Sequence, residues 1–253
     1  MGAYIVVAII AYLIGSVSFA IIFGKKFGGI DVRTKGSGNA GSTNVLRTVG
    51  KKAALCSVVC DILKGVVAVL IAVIISKIFK STDGALLVQI AALCVVIGHT
   101  FPIFYGFKGG KGVATSLGVL LIINWEVGLV CFVFAIAIMA VTRMVSLGSI
   151  SAAVLFAVLC LFKLGKFIVD GNYLIFGLLL AAFVIFNHRT NIVRIKNGTE
   201  NKLSFKKKEE PEEKAEEEAK DEPEVKEPLE IKVEEEPEKE NEEETDSEDK
   251  KEE

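Results

Sequence analysis

Apolar runs alternate with short polar loops from residue 3 to residue 186. A helix needs roughly 20 consecutive apolar residues to cross the hydrocarbon core of a bilayer. The first three runs approach or exceed that length, and four shorter ones follow; they span 3–23, 53–78, 85–107, 113–124, 127–142, 145–161 and 173–186. The fourth run is short for a crossing, so it either extends through 109–111 or forms a broken helix that lines a cavity. We therefore predict an all-α integral membrane protein with seven transmembrane helices.

The distribution of Lys and Arg predicts the orientation of these helices. With seven spans, the loops 24–52 and 106–112, the turn at Arg143 and the segment after residue 187 share one side, where they carry 7, 2, 1 and 7 basic residues up to Lys208. The other side carries four, which are Lys77, Lys80, Lys163 and Lys166. Because basic loops stay in the cytoplasm, the N-terminus is predicted outside and the C-terminus inside. No basic residue precedes the first run, which indicates a retained span rather than a signal peptide.

The C-terminal segment differs in composition from the rest of the chain. Residues 209–253 contain 25 Asp and Glu against 7 Lys, with no aromatic residue and few aliphatic ones. Such a segment cannot bury enough apolar surface to offset the entropy of ordering the chain. We therefore predict a transmembrane domain at 1–204 and a disordered acidic cytoplasmic tail at 205–253. The five cysteines all lie in apolar runs without metal-ligand spacing, so we expect them to bind no metal.

The dense polar motifs fall at the ends of runs, on the predicted cytoplasmic side. Residues 36–47 combine small glycines, hydroxyl and amide side chains and a terminal Arg. Residues 107–112 read Phe-Lys-Gly-Gly-Lys-Gly, without the spacing of a nucleotide P-loop. The segments 146–149 and 188–194 add further hydroxyl, imidazole and guanidinium groups. Glycine N–H groups free to approach an oxyanion, beside cations, are typical of an anion-binding site.

Several side chains in these motifs suit a phosphate ligand. Hydroxyl and amide donors in the first motif are Ser37, Asn39, Thr43 and Asn44. Arg47 and Lys111 can neutralise the charge. His188 and Asn191 are three residues apart and can share a helical face; His188 is interpreted either as a base or phosphate donor or as an interfacial side chain.

Two charged residues lie deep within an apolar run. Asp61 and Lys64 are three residues apart, and an unpaired charge there would cost several kcal/mol. We expect them to pair with each other or with the loop motifs, in a supporting role. His99, near the end of the third run, is also assigned a structural role.

The polar motifs, taken together, resemble those of the PlsY family, the bacterial acyl-phosphate:glycerol-3-phosphate acyltransferases. They read Gly36-Ser-Gly-Asn-x-Gly-x-Thr-Asn-x-x-Arg47, Gly98-His-x-Phe-Pro-x-Phe with Gly109-Gly-Lys-Gly-Val-Ala-Thr115, and His188-Arg-x-Asn-Ile-x-Arg with Gly198-x-Glu200. The resemblance covers about residues 1–200, in the same order. It implies a seven-helix enzyme of the bacterial cytoplasmic membrane, with its active site on the cytoplasmic side.

The resemblance also implies the reaction. A fatty acyl group would pass from acyl phosphate, rather than acyl-CoA or acyl carrier protein, to the 1-hydroxyl of glycerol-3-phosphate, giving 1-acyl-glycerol-3-phosphate and inorganic phosphate, the first step of phospholipid synthesis. The partners would be these two substrates and the lipid bilayer, with no nucleic acid and no cofactor. Acyl phosphate is an activated mixed anhydride, so the enzyme would mainly position the substrates and neutralise charge.

The resemblance assigns two groups of residues. The catalytic group is Ser37, Arg47, Lys111, His188 and Asn191. The substrate-binding group is Gly36, Gly38, Asn39, Thr43, Gly109, Gly110, Ser146, Ser149, Arg189 and Glu200. Two alternatives stay open: His188 acts as a base or positions substrate, and Ser37 binds substrate or accepts the acyl group, although no activating base is evident beside it in sequence.

Two other functions fit a protein with many membrane spans. A transporter or flippase for an anionic metabolite would place polar residues at several midplane positions, whereas here only Asp61 and Lys64 lie deep. A membrane scaffold would use the acidic tail to recruit a basic partner. The crowding of polar motifs on one face favours the enzyme.

Overall fold

The chain folds into helices joined by short loops. The computed structural model describes residues 1–79, 83–162 and 172–203, and within these ranges it contains no strand. The helices are α1 (Gly2–Ser16), α2 (Phe19–Gly28), α3 (Ser42–Thr48), α4 (Lys51–Ile78), α5 (Gly84–Thr100), α6 (Val113–Ile123), α7 (Trp125–Thr142), α8 (Val145–Leu161), α9 (Leu174–Asn187) and α10 (Arg189–Lys196). The predicted all-α class is confirmed for the described part of the chain. The predicted acidic tail, together with Lys80, Lys163 and Lys166, lies outside the described residues.

Several helices have the length and hydropathy of membrane spans. Among the described residues, four segments meet both criteria, and they are Gly2–Gly28, Lys51–Ile78, Gly84–Tyr105 and Trp125–Thr142. A fifth candidate is the pair α9 and α10, which is bent by 59°. Helices α6 and α8 are apolar but shorter, with 11 and 17 residues. The count of seven spans and the orientation of the termini stay predictions.

The first apolar run contains a break that the sequence pattern did not predict. Val17 is extended between α1 and α2, with φ −69° and ψ 112°. Its carbonyl accepts a hydrogen bond of 2.8 Å from Nζ of Lys64, and the same ammonium pairs with Asp61 at 2.8 Å. Backbone groups released by a helix break need a partner in an apolar environment. The ion pair confirms the expectation that Asp61 and Lys64 pair with each other. Lys64 also stabilises the break in the first run, because it binds the carbonyl that the break releases.

Helices cross closely where small residues meet. Gly15 on α1 lies against the backbone of Val95 on α5, and Gly118 on α6 lies against the backbone of Ile62 on α4. A side chain at either glycine would collide with that backbone. Small residues at crossings let membrane helices approach and gain van der Waals contact. These crossings hold α1 against α5 and α4 against α6.

Candidate active site

The polar loops and the helices α3 to α10 surround a cavity of about 720 Å³. One part of its wall is polar and comes from the loops and the helices next to them, and the other part is apolar and comes mainly from α6 to α9. Fourteen of the predicted site residues line it, and they are Ser37, Gly38, Asn39, Thr43, Arg47, Gly109, Gly110, Lys111, Ser146, Ser149, His188, Arg189, Asn191 and Glu200. Segments far apart in sequence thus meet at one cavity, as the motif analysis expected.

The loop that precedes α3 is built around the side chain of Asn44. The Asn44 side chain is buried, and its Oδ1 accepts a hydrogen bond of 2.9 Å from the N–H of Ser37. Its Nδ2 donates to the carbonyls of Val32, Lys35 and Asn39 at 2.7, 3.1 and 3.0 Å. Both amide hydrogens are engaged within the loop. The expectation that Asn44 donates to phosphate is therefore wrong, because its amide holds the loop that presents Ser37.

Gly36 is the one predicted site residue that does not line the cavity. Its φ is +60°, in the left-handed region that favours glycine. The residue lies against Oδ1 of Asn44 and the methyl group of Thr48. This glycine allows the chain to turn over the Asn44 side chain, and its assignment to substrate binding stays a prediction.

Three of the glycine N–H groups in the two loops are engaged within the protein. The N–H of Gly109 donates to the Thr100 carbonyl and that of Gly110 to the His99 carbonyl, both at 3.1 Å. The N–H of Gly38 donates to Lys35 at 3.1 Å. The expectation that these N–H groups face an oxyanion is therefore wrong. Gly110 instead packs its Cα against the imidazole of His99, where a side chain would collide.

The two loops are also joined to each other. The carbonyl of Gly109 accepts hydrogen bonds from Nδ2 of Asn39 and from the N–H of Ala40, both at 3.3 Å. The first motif is therefore hydrogen-bonded to the glycine–lysine motif. The glycine–lysine motif is in turn hydrogen-bonded to the C-terminal end of α5. Side chains, rather than the N–H groups of Gly38, Gly109 and Gly110, are left to contact an anion here.

A hydrogen-bonded network connects Lys111 to α8 and α10. Nζ of Lys111 donates to Oδ1 of Asn191, and Nδ2 of Asn191 donates to Oε1 of Glu200 at 2.8 Å. The same Oε1 accepts from the Ser146 hydroxyl at 2.8 Å, and Oε2 accepts from Nε of Arg194 at 3.0 Å. Glu200 was predicted to bind substrate, but both of its oxygens are used by protein donors. The carboxylate therefore holds the residues around it in position.

Burial, hydrogen bonds and charges in the network shift the pKa values of Glu200 and Lys111. Burial opposes ionisation of Glu200, but hydrogen bonds from Asn191, Ser146 and Arg194 outweigh it and hold the pKa of this carboxyl below its usual range. Burial lowers the pKa of Lys111 to about 8, with Glu200 opposing the shift and Arg194 and Arg47 adding to it. Lys111 is therefore a cation at neutral pH that loses its charge at mildly alkaline pH.

His188 and Ser149 donate to backbone carbonyls. Nδ1 of His188 lies 2.7 Å from the Val184 carbonyl, which can only accept, so Nδ1 carries a proton and Nε2 of the neutral ring is an acceptor. The ring is buried, with 3% of the residue exposed. The Ser149 hydroxyl donates to the Val145 carbonyl at 2.9 Å. Both side chains are thereby fixed in orientation at the cavity wall.

Ser37, Arg47 and Arg189 are more accessible. Ser37 is exposed, and within the described ranges its hydroxyl has no hydrogen bond to a basic side chain. Arg47 is half-buried on α3. Arg189 is exposed, with its guanidinium 4.7 Å from the centroid of the Phe186 ring. These three groups can meet a ligand without losing an existing salt bridge.

Sequence reasoning missed two features of the cavity. Asp61 and His99, which were assigned structural roles, line it, with Nδ1 of His99 3.4 Å from Oδ1 of Asp61. The apolar wall, which includes Ala135, Ala153 and Phe156, was not assigned at all. A charged pair within an apolar run signalled the first feature. The second had no local signal, because these residues resemble any other part of an apolar helix.

Comparisons with known proteins identify the family. Residues 5–198 match the family described as glycerol-3-phosphate acyltransferase. The glycerol-3-phosphate acyltransferase of Clostridioides difficile strain 630 is 46% identical over 208 residues, covering 81% of this chain and 98% of the relative. That of Thermoanaerobacter sp. strain X514 is 45% identical over 202 residues, covering 80% and 96%.

A solved structure has the same fold. The crystal structure of PlsY (YgiH), an integral membrane glycerol 3-phosphate acyltransferase in its glycerol 3-phosphate form, aligns with a TM-score of 0.71 at 37% identity. The alignment covers 79% of this chain and 96% of that one. The chain therefore belongs to the glycerol-3-phosphate acyltransferase family and is an integral membrane acyltransferase.

Proposed function

We propose that this enzyme transfers a fatty acyl group from acyl phosphate to the 1-hydroxyl of glycerol-3-phosphate, at the cytoplasmic face of a bacterial cell membrane. The products are 1-acyl-glycerol-3-phosphate and inorganic phosphate. One observation carries the proposal: a single cavity joins a polar, cationic part to an apolar part. A substrate pair with two phosphates and one acyl chain needs both.

The polar part suits two phosphates close together. Arg47, Lys111 and Arg189 contribute positive charge to it, and the carboxylate of Glu200 is already bound by protein donors. In a partly desolvated site, fixed cations stabilise anions more strongly than in water. Two phosphates can then approach each other without prohibitive repulsion.

The reaction needs no covalent enzyme intermediate. The 1-hydroxyl oxygen of glycerol-3-phosphate attacks the acyl carbonyl carbon, a new ester C–O bond forms, and the bond between that carbon and the phosphate oxygen breaks. The hydroxyl proton passes to a substrate phosphate oxygen, so the leaving group departs as inorganic phosphate. Positioning and charge neutralisation supply the catalysis.

The residues divide by role in this mechanism. Lys111 and Arg47 hold phosphate, and Asn191 fixes the Lys111 ammonium through its Oδ1. Ser37, Asn39 and the other donors of the cavity wall orient the substrates. His188 donates a hydrogen bond from Nδ1 to a carbonyl. Its Nε2 accepts a hydrogen bond from a hydroxyl group of the substrate and thereby orients the substrate. Ser37 binds rather than reacts, because no base contacts its hydroxyl within the described part of the chain.

The family relatives support this choice of substrates. The PlsY structures carry a glycerol 3-phosphate form and a lysophosphatidic acid form, which are the acceptor and the product of the proposed reaction. Lysophosphatidic acid is amphipathic, so its release into a bilayer from an apolar-walled cavity needs no passage through water. The reaction would supply phospholipid synthesis.

The test is a comparison of acyl donors with the purified full-length protein. Acyl phosphate, acyl-CoA and acyl carrier protein with the same chain are each supplied with glycerol-3-phosphate, and released phosphate and lysophosphatidic acid are measured. We expect product from acyl phosphate alone. Lys111→Met is the inactive control, because it removes the half-buried cation without changing the length of the side chain greatly. Equal rates with acyl-CoA would reject the proposed donor, and no product with any donor would reject the proposed function.

A further inference from the structure

The apolar part of the cavity ends at Phe156 on α8. The α8 residues that line it follow one face of the helix, beginning with Val145, Ser146 and Ser149, continuing through Ala152 and Ala153, and ending at Phe156. After Val145, the side chains that line the cavity change from the hydroxyls of two serines to the methyls of two alanines and then to a phenyl ring. Ser146 and Phe156 are ten residues apart, which is about 15 Å at a rise of 1.5 Å per residue.

Behind Phe156 the protein is packed. The Phe156 ring meets Phe176 edge to face, with centroids 6.2 Å apart and planes at 80°. Phe176 meets Tyr173 in the same way at 6.0 Å. The three residues are 3%, 1% and 3% exposed, and neither Phe176 nor Tyr173 lines the cavity. One phenyl ring therefore separates the cavity from the packed core.

Neighbouring helices contribute other side chains at this depth. The lining residues furthest from the polar loops are Leu120 on α6, Cys131 and Phe132 on α7, and Leu180 on α9. Among these only Phe132 has an aromatic ring, and it is 43% exposed, whereas Phe156 is 3% exposed and packs against the core. The end of the cavity therefore depends mainly on Phe156.

On the reaction proposed above, the acyl chain of the donor occupies this apolar part. We propose that the Phe156 ring sets the length of acyl chain that the cavity holds. Each methylene buried before the ring contributes about fourfold in affinity, the equivalent of ~0.8 kcal/mol. A longer chain must bend or leave between helices, so each methylene beyond the ring contributes little.

The experiment measures kcat/KM for a series of saturated acyl phosphates that lengthens by two carbons at a time. For the unchanged protein, kcat/KM rises with chain length and then levels at a break. Phe156→Ala removes the ring and moves the break to longer chains. Phe156→Trp adds bulk and moves it to shorter chains, and Phe156→Leu gives an intermediate position.

Controls separate chain-length selection from a general loss of folding. Phe134→Ala removes an exposed ring of α7 that does not line the cavity, and it leaves the break where it was. If Phe156→Ala fails to fold because of the cavity it creates, the opposite shift of Phe156→Trp still decides. A break at the same length in every folded variant overturns this inference, whereas an unchanged protein that uses no acyl phosphate overturns the proposed function instead.

Discussion

Replacement of Glu200 by glutamine tests whether this carboxylate positions the catalytic groups. Its Oε1 accepts hydrogen bonds from Ser146 and Asn191, both at 2.8 Å, and its Oε2 accepts one from Arg194 at 3.0 Å. A glutamine keeps only one acceptor oxygen, so its NH₂ group turns towards Arg194. The Arg194 side chain is 35% exposed, and water compensates much of that loss.

The magnitude follows from the two remaining hydrogen bonds. Each changes from a charge-assisted bond to a neutral one, a difference of about 1 kcal/mol. The total of about 2 kcal/mol corresponds to a roughly 30-fold lower kcat/KM. Asn191 transmits the effect, because it contacts both Glu200 and Lys111.

The assay is initial-rate phosphate release at varied glycerol-3-phosphate, together with thermal unfolding of the same samples in detergent. Glu126→Gln, at an exposed position in the first turn of α7, is the matched control and stays within about twofold of the unchanged protein. A Glu200→Gln protein that unfolds at a lower temperature but keeps its kcat/KM would show that Glu200 stabilises the fold alone, and the positioning argument would be refuted.

Three further predictions follow from the cavity. Because the pKa of Lys111 is lowered to about 8, its charge is present below that pH and lost above it. We therefore expect kcat/KM for glycerol-3-phosphate to fall as the pH rises through 8, and we expect Lys111→Arg to remove this decline. A decline that persists in the variant would show that another group titrates. Asn44→Ala leaves the N–H of Ser37 and the carbonyls of Val32 and Asn39 without their partner. We expect the free energy of unfolding to fall by about 1–3 kcal/mol, seen as a lower unfolding temperature, and the activity to fall with it. Unchanged stability would contradict the role of Asn44. His188→Gln retains measurable activity whereas His188→Ala does not, and equal loss in both variants would favour base catalysis over positioning.

The helical architecture was readable from the sequence because membrane helices depend on a local property. Each helix hydrogen-bonds its own backbone and needs only a sufficient run of apolar residues, so α8 began and ended at the predicted residues 145 and 161. The break at Val17 was not readable. It depends on Lys64, which lies far along the chain, and nothing in the first run itself interrupts its apolar pattern.

The sequence predicted which residues belong to the candidate site better than it predicted what each of them does there. Cationic side chains such as Arg47 and Lys111 stand out among apolar runs. Loops that join helices at the same end of a membrane protein also lie close to one another, so residues in these loops are expected to meet. Glycines were misread, because the free N–H groups expected of Gly109 and Gly110 donate to carbonyls at the end of α5. A sequence shows that a glycine is small but does not show which partner approaches it.

By itself, the sequence determined the helical class, the residues that supply charge and hydroxyl groups, and the need of Asp61 and Lys64 for partners within an apolar run, since each follows from composition and short-range spacing. Only the tertiary structure decided that Glu200 joins Ser146 and Asn191, and that the apolar wall ends at Phe156. Both depend on side chains from different helices meeting at one place. Such a meeting is set by how the helices pack, which no single stretch of the chain encodes.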